Sequence, residues 1–229
     1  MLGHYKKALA VAEQGYKEFP NRIQLLAYQA QAQAAMGKIK KVYELFEISQ
    51  ISNQTPPVIM RNVAEELLFR GYYDDAQAIF EHVASFYREQ LKVNPTSRGG
   101  RQGYAMTLYR QGKLNEAQEL YNELFAEFPG SSAYRLYLGS LAAQNNNHDI
   151  AHEHLDWFLA REGKYLYGSN TLNAARIAAT LNEKERAIEL IRASISQGIE
   201  YQGLRLHRDI HFSSLRDYPP FQDLMRPKG

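Results

Sequence analysis

The stretch Arg98–Pro129, RGGRQGYAMTLYRQGKLNEAQELYNELFAEFP, decides the fold. It divides into two helical patterns, one ending at Gln111-Gly112 and one running from Leu114 to about Glu127, with a stop at Pro129. Small residues, Ala105 and Ala117, stand where two helices must approach closely. Tyr104, Leu108, Leu114, Leu120, Tyr121 and Leu124 recur around them at helical spacing. The pattern is a helix pair of about 34 residues, which points to an array of such pairs.

The same spacing returns along the chain. Gly3, Tyr5, Ala8, Ala12, Gly15 and Pro20 repeat the order of Gly112, Leu114, Ala117, Tyr121, Leu124 and Pro129, so residues 3–20 read as the second helix of a pair whose first helix is missing. That suggests a chain cut from a longer protein, or an opening helix that pairs with another molecule. Residues 23–53 carry Leu26, Ala30, Gly37, Ile39, Val42 and Phe46 in the defining places. Residues 57–95 carry Met60, Val63, Ala64, Leu67, Gly71, Tyr73, Ala76 and Phe80. Between them NQTPP (Asn53–Pro57) breaks the helix. The stop at Pro95 comes seven residues late, which predicts one long helix from Asp74 to Val93, either a projecting arm or an element that alters how two pairs stack. Thr96-Ser97 supplies capping hydroxyls for the next pair, 98–129. Residues 132–163 follow with Leu138, Gly139, Ala142, Asn146, His148, Ala151, Leu155 and Phe158. Residues 168–199 follow with Thr171, Ala174, Ala175, Ala178, Asn182, Ala187 and Ile191. Asn146 takes the turn position of Gly112, since asparagine tolerates the left-handed conformation at helix ends. In residues 200–229, Leu204, Leu206, Ile210, Phe212, Leu215, Phe221, Leu224 and Met225 are expected to cover the last apolar face as short helices, one begun by Pro219-Pro220.

This pattern resembles the tetratricopeptide repeat, most completely in Arg98–Pro129. The resemblance implies an all-α, right-handed superhelix of antiparallel helix pairs, with five full repeats, half of a sixth in front and a C-terminal helical cap. The last residues, SSLRDYPPFQDLMRPKG, are similar to the ends of bacterial multidomain signalling proteins in which such repeats follow a catalytic or DNA-binding domain. Together these imply a non-catalytic scaffold that binds a peptide or partner protein, as the C-terminal module of a larger signalling protein. Self-association as a homodimer is the alternative.

By resemblance, fixed positions of each first helix face the groove where partners lie. Here they include Gln24, Gln31, Arg61, Glu65, Leu68, Gln102, Met106, Tyr109, Arg110, Leu136, Ser140 and Arg176, with Asn173 adjacent. Chaperone-adaptor members grip a C-terminal carboxylate with lysine and asparagine at these positions. Glu65 stands where an asparagine would be needed, which argues against chaperone tails.

Composition narrows the alternatives. A formal charge of +2, from 27 basic and 25 acidic residues intermixed, gives no stripe for a phosphate backbone, so RNA or other nucleic acid is a poor partner. The absence of cysteine removes disulfides, thiolate metal sites and cysteine nucleophiles together. No stretch approaches the roughly 20 apolar residues of a membrane helix. The opening MLGHYKKALAVAEQGY lacks the unbroken apolar run of a signal peptide, so a soluble chain of cytoplasm or periplasm is expected. No cofactor is expected. The Arg98–Gly103 glycines lack the GxxxxGK pattern and a preceding strand. His148 and His152, one helical turn apart, are the weak candidate for a metal site, with His154 pointing elsewhere. Asp74-Asp75 and Glu65-Glu66 read as solvated helix surface, and Trp157 as core. Nothing assembles an acid, a base and an oxyanion donor, so an enzyme is not expected.

Overall fold

The computed structural model describes residues 4–47, 57–199 and 206–226. Gly3, Asn53–Pro56 and Leu204 therefore lie outside the described residues. All regular structure among the described residues is helical: α1 (Tyr5–Glu18), α2 (Gln24–Ala35), α3 (Ile39–Glu47), α4 (Pro57–Phe69), α5 (Tyr73–Val93), α6 (Arg98–Arg110), α7 (Leu114–Glu127), α8 (Ser132–Gln144), α9 (His148–Leu159), α10 (Ser169–Thr180) and α11 (Lys184–Ser196). Two 3-10 turns, Leu206–Arg208 and Ile210–Leu215, then lead to α12 (Pro219–Met225).

Local chemistry sets the boundaries. Ser97 accepts the Gly100 N–H at 3.2 Å and Ser131 the Tyr134 N–H at 3.5 Å, each satisfying a donor that the first helical turn leaves open. At the turn inside each pair one residue takes a positive φ: Gly37 (70°), Gly71 (84°), Gly112 (75°), Asn146 (59°) and Asn182 (63°). Backbone bonds that close a helix C-terminus accompany them, such as Lys38 N–H to Gln33 O (3.0 Å), Tyr72 N–H to Leu67 O (3.0 Å) and Asn147 N–H to Ala142 O (2.8 Å). Gly37 to Gly71 and Gly112 to Asn146 are both 34 positions apart, whereas Gly71 to Gly112 spans 41 and Asn146 to Asn182 spans 36. The chain is thus periodic with two departures.

The chain forms two compact units, residues 1–112 and 113–229. In the first, α2 packs on α1, α3 and α4, and α5 on α4 and α6. Its core holds Leu26, Ala30, Val42, Met60, Val63, Ala64, Leu67, Ala76 and Phe80, each at one of the recurring apolar positions. The 41-residue interval is the 21-residue helix α5, whose last turns lie along α6. A methyl group on Gly103 would sit 2.2 Å from Tyr87 Cζ, and one on Gly100 would sit 3.1 Å from Leu91 Cδ2. Two of the Arg98–Gly103 glycines are therefore where the long helix seats its side chains.

In the second unit α8 packs on α7, α9 and α10, and α10 on α9, α11 and the Ile210–Leu215 turn. Ala151, Leu155, Phe158, Ala174, Ala175, Ala178, Ala187 and Ile191 share one core with Leu206, Phe212, Leu215 and Phe221 of the tail. At 1% to 2% exposure, Phe212 and Phe221 are as buried as the repeat core, so the tail completes that core rather than lying loosely on it.

Candidate functional site

In the first unit the expected groove residues lie on the first helices α2, α4 and α6. Gln24 is exposed, while Gln31, Arg61, Glu65, Leu68, Gln102, Met106 and Arg110 are half-buried. Arg110 Nε donates to Glu65 Oε1 at 2.5 Å and its Nη1 to the Met106 carbonyl at 3.2 Å. Arg61 Nε stands 3.8 Å from the same Glu65 oxygen and has no hydrogen-bond partner. Two guanidiniums thus lie against one carboxylate, on the helices that also carry Leu68 and Met106. Glu65 is neutralised by Arg110, so its charge is not free to repel an acidic ligand as the sequence suggested. Glu66 departs from its expected place on a solvated surface: it is buried, with Arg70 Nε 3.5 Å from its carboxylate.

Three expected groove residues are withdrawn from solvent: Tyr109 (2% exposed), Leu136 (7%) and Ser140 (0%). The reason in α8 is that SAYRLYLGSLAAQ is apolar nearly all round, and such a helix buries every side. Arg176 is committed within the second unit. Its Nε donates to Asp209 Oδ2 at 2.8 Å and its Nη1 to Asn173 Oδ1 at 2.8 Å. Asp209 Oδ1 also meets His211 Nδ1 at 2.9 Å, and the His211 ring lies 5.4 Å from that of Tyr137. Burial alone would raise the Asp209 carboxyl, but the Arg176 charge and the His211 hydrogen bond reverse this and hold it far below the usual carboxylate range. The tail thus occupies the first-helix face of α10 that the sequence offered to a partner.

His148 is exposed, while His152 Nε2 lies 2.5 Å from Oε1 of Glu183, the residue just before α11, and no group of three metal-ligating side chains occurs among the described residues. Burial would raise the Glu183 carboxyl, but its bonds to His152 and Arg186 bring it below its ordinary value.

A cluster the sequence did not single out lies at the edge of the second unit's core. Trp157, half-buried, has the Arg135 guanidinium 4.4 Å and the Arg161 guanidinium 4.5 Å from its ring centre, and Arg135 also lies 4.8 Å from the Phe125 ring. Arg135 Nη1 donates to His154 Nδ1 at 3.2 Å, which requires an unprotonated nitrogen there. Burial, and then the Arg135 charge, push His154 below its ordinary range in agreement.

No protein-family model and no curated protein matches the chain. Among solved structures, a tetratricopeptide repeat protein from Parabacteroides merdae is similar over 92% of this chain and 78% of its own, at 17% identity and a TM-score of 0.56. This chain has the tetratricopeptide repeat fold. The pilF protein of Pseudomonas aeruginosa aligns over 90% of this chain and 88% of its own, at 14% identity and a TM-score of 0.46. BtubC from P. vanneervenii aligns over 84% and 87%, at 15% identity and 0.42. At 17% identity the likeness to the Parabacteroides merdae protein is one of fold. In tetratricopeptide terms, Arg61, Glu65 and Arg110 come from first helices of neighbouring repeats, whereas Trp157 and Arg161 come from a second helix and the connection after it. Their i, i+4 spacing was the one sequence signal for the second cluster. No described helix is long and apolar enough to cross a membrane.

Proposed function

We propose that this chain is a non-catalytic protein-interaction scaffold that takes an extended peptide or partner helix on the α2–α4–α6 face of its first unit. The observation that carries the reading is the Arg61–Glu65–Arg110 group. Two half-buried guanidiniums held on one carboxylate, flanked by Leu68 and Met106, suit a ligand that brings one further carboxylate and an apolar side chain. The repeat boundaries inferred above, with residues 200–229 closing the array, belong to the same reading. The similarity of the last residues to those of bacterial signalling proteins supports placing the scaffold in such a protein.

Selection of peptides by phage display, followed by titration against Arg61→Gln and Gln102→Ala variants, tests the site. Both positions are half-buried, so each substitution should preserve the fold. Selected peptides are expected to carry an acidic residue and to bind Arg61→Gln about threefold or more weakly. Peptides that bind both variants as tightly as the original would overturn the assignment. Self-association is the second reading, favoured by Val11 (66% exposed) and Phe19 (55%) at the start of the chain. A monomer by light scattering at 100 µM, roughly the concentration at which weak dimers become visible, would remove it.

A further inference from the structure

The second departure from the 34-residue period opens another surface. The connection from α9 to α10 contains Lys164, Tyr165, Leu166 and Tyr167, with Tyr165 80%, Leu166 40% and Tyr167 58% exposed. Hydrogen bonds within the connection brace this loop. The Glu162 carboxylate accepts from Gly163 N–H (3.1 Å), Gly168 N–H (3.3 Å) and Thr171 N–H (2.9 Å), and Asn170 Nδ2 donates to the Arg161 carbonyl at 3.1 Å. Tyr167 takes a φ of 49°, a left-handed conformation that a bulky side chain rarely adopts. Strain of this kind persists only where surrounding structure enforces it.

The loop begins at Arg161, the outer member of a ladder that runs Phe125, Arg135, Trp157, Arg161, alternating ring and guanidinium. From Arg161 to Tyr165 is at most about 14 Å of extended chain. Among the described residues neither Arg135 nor Arg161 has a carboxylate within ion-pair distance. Arg135 Nε is buried without a hydrogen-bond partner, and Glu153 is felt by Arg135 only through space. Stacking engages the faces of a guanidinium and leaves its N–H edges for in-plane acceptors. Elsewhere in this unit arginines do find carboxylates: Arg176 on Asp209, Arg186 on Glu183.

We propose that the Arg135–Trp157–Arg161 ladder and the Tyr165–Tyr167 loop form a docking surface for an acidic segment of a partner protein, its carboxylates at the guanidinium edges and its apolar side chains on the loop. Charge complementarity selects the occupant: neither guanidinium makes an ion pair, and exposed Arg161, stacked on Trp157 by its face, offers its N–H edge to a carboxylate. The exposed Tyr165, Leu166 and Tyr167 favour a peptide over nucleic acid, which would want a longer basic stripe than this intermixed surface provides. Its residues belong to the second unit and those of the α2–α4–α6 face to the first, so its failure and that of the groove are distinguishable.

Trp157 is the only tryptophan of the chain, so its emission reports on this site directly. The full chain is titrated with blocked hexapeptides alternating glutamate or aspartate with leucine, phenylalanine or tyrosine, with lysine-containing counterparts and inorganic phosphate as controls. A saturable change with the acidic peptides, weakened about threefold to fivefold by Arg161→Gln and further by added salt, is expected. Arg161 is exposed, so that variant tests the surface without endangering the fold, and Arg135→Gln combined with it should weaken binding about tenfold or more. No saturable change, equal response to the lysine peptides, an Arg161→Gln titration superposing on the original, or phosphate binding as tightly as the acidic peptides would each overturn the proposal.

Discussion

The contact between Tyr87 and Gly103 converts the unusual length of α5 into a measurable quantity. Replacing Gly103 by alanine in the interior of α6 should by itself favour the helix by about 1 kcal/mol. The new methyl group, however, would stand 2.2 Å from Tyr87 Cζ and 2.4 Å from its Cε1. Carbon atoms rest at about 3.5–4.0 Å, so the ring must retreat by roughly 1.5 Å. Overpacking of this kind costs about 1–3 kcal/mol, which cancels or outweighs the propensity gain. In a Tyr87→Ala background the obstruction is gone, and Gly103→Ala should become stabilising by about 1 kcal/mol. The double-mutant cycle, read by urea unfolding followed by circular dichroism, should therefore show a coupling of about 1–3 kcal/mol. Gly99→Ala is the control, since nothing lies within 4 Å of its would-be methyl group. If Gly103→Ala stabilises the chain equally with and without the Tyr87 ring, the long helix does not seat on α6 as described.

Gly168→Ala should be severely destabilising by thermal melting, because φ is 81° and the new carbon would lie 2.4 Å from the Ser194 carbonyl oxygen, a backbone atom that cannot swing aside. Asp209 sets an acid limit. Its folded pKa is depressed, so its stabilisation is present above the unfolded value of about 3.9 and is lost as pH falls from there through the folded value. Melting temperatures measured from pH 7 to pH 2 should fall below about pH 4, with a shallower acid slope in Asp209→Asn; parallel slopes would show that another carboxylate governs the loss.

Much of the fold was legible because helix ends and close contacts are written in local chemistry. The helix Leu114–Glu127 was marked by a left-handed glycine before it and a proline after it, and Ala105 and Ala117 are fully buried as their size required. The late stop at Pro95 announced the 21-residue α5, but whether it projected or packed depended on where Tyr87 and Leu91 land, which periodicity does not state. The groove was legible only as a set of positions. Leu136 and Ser140 stand at positions the resemblance expected to face a groove, yet they are buried, since α8 is apolar on nearly every side. Arg176 is taken by Asp209, a partner 33 residues away whose arrival no local pattern records. Arg135 and Trp157 come from different helices, and each alone looks like ordinary surface or core.

The two departures from the 34-residue period are used in opposite ways, and burial tells them apart. The extra length in α5 is spent inward: Tyr87 and Leu91 meet glycines of α6 so closely that even a methyl group would intrude, and stability alone explains it. The extra length after α9 is spent outward. Holding Tyr167 in a left-handed conformation costs on the order of 1–2 kcal/mol, and Glu162 is committed to bracing the turn, yet Tyr165 and Tyr167 remain largely in water. A stabilising insertion would have buried those rings. A strained loop that keeps them exposed, beside two arginines that make no ion pair, is what the proposed docking of an acidic segment would explain.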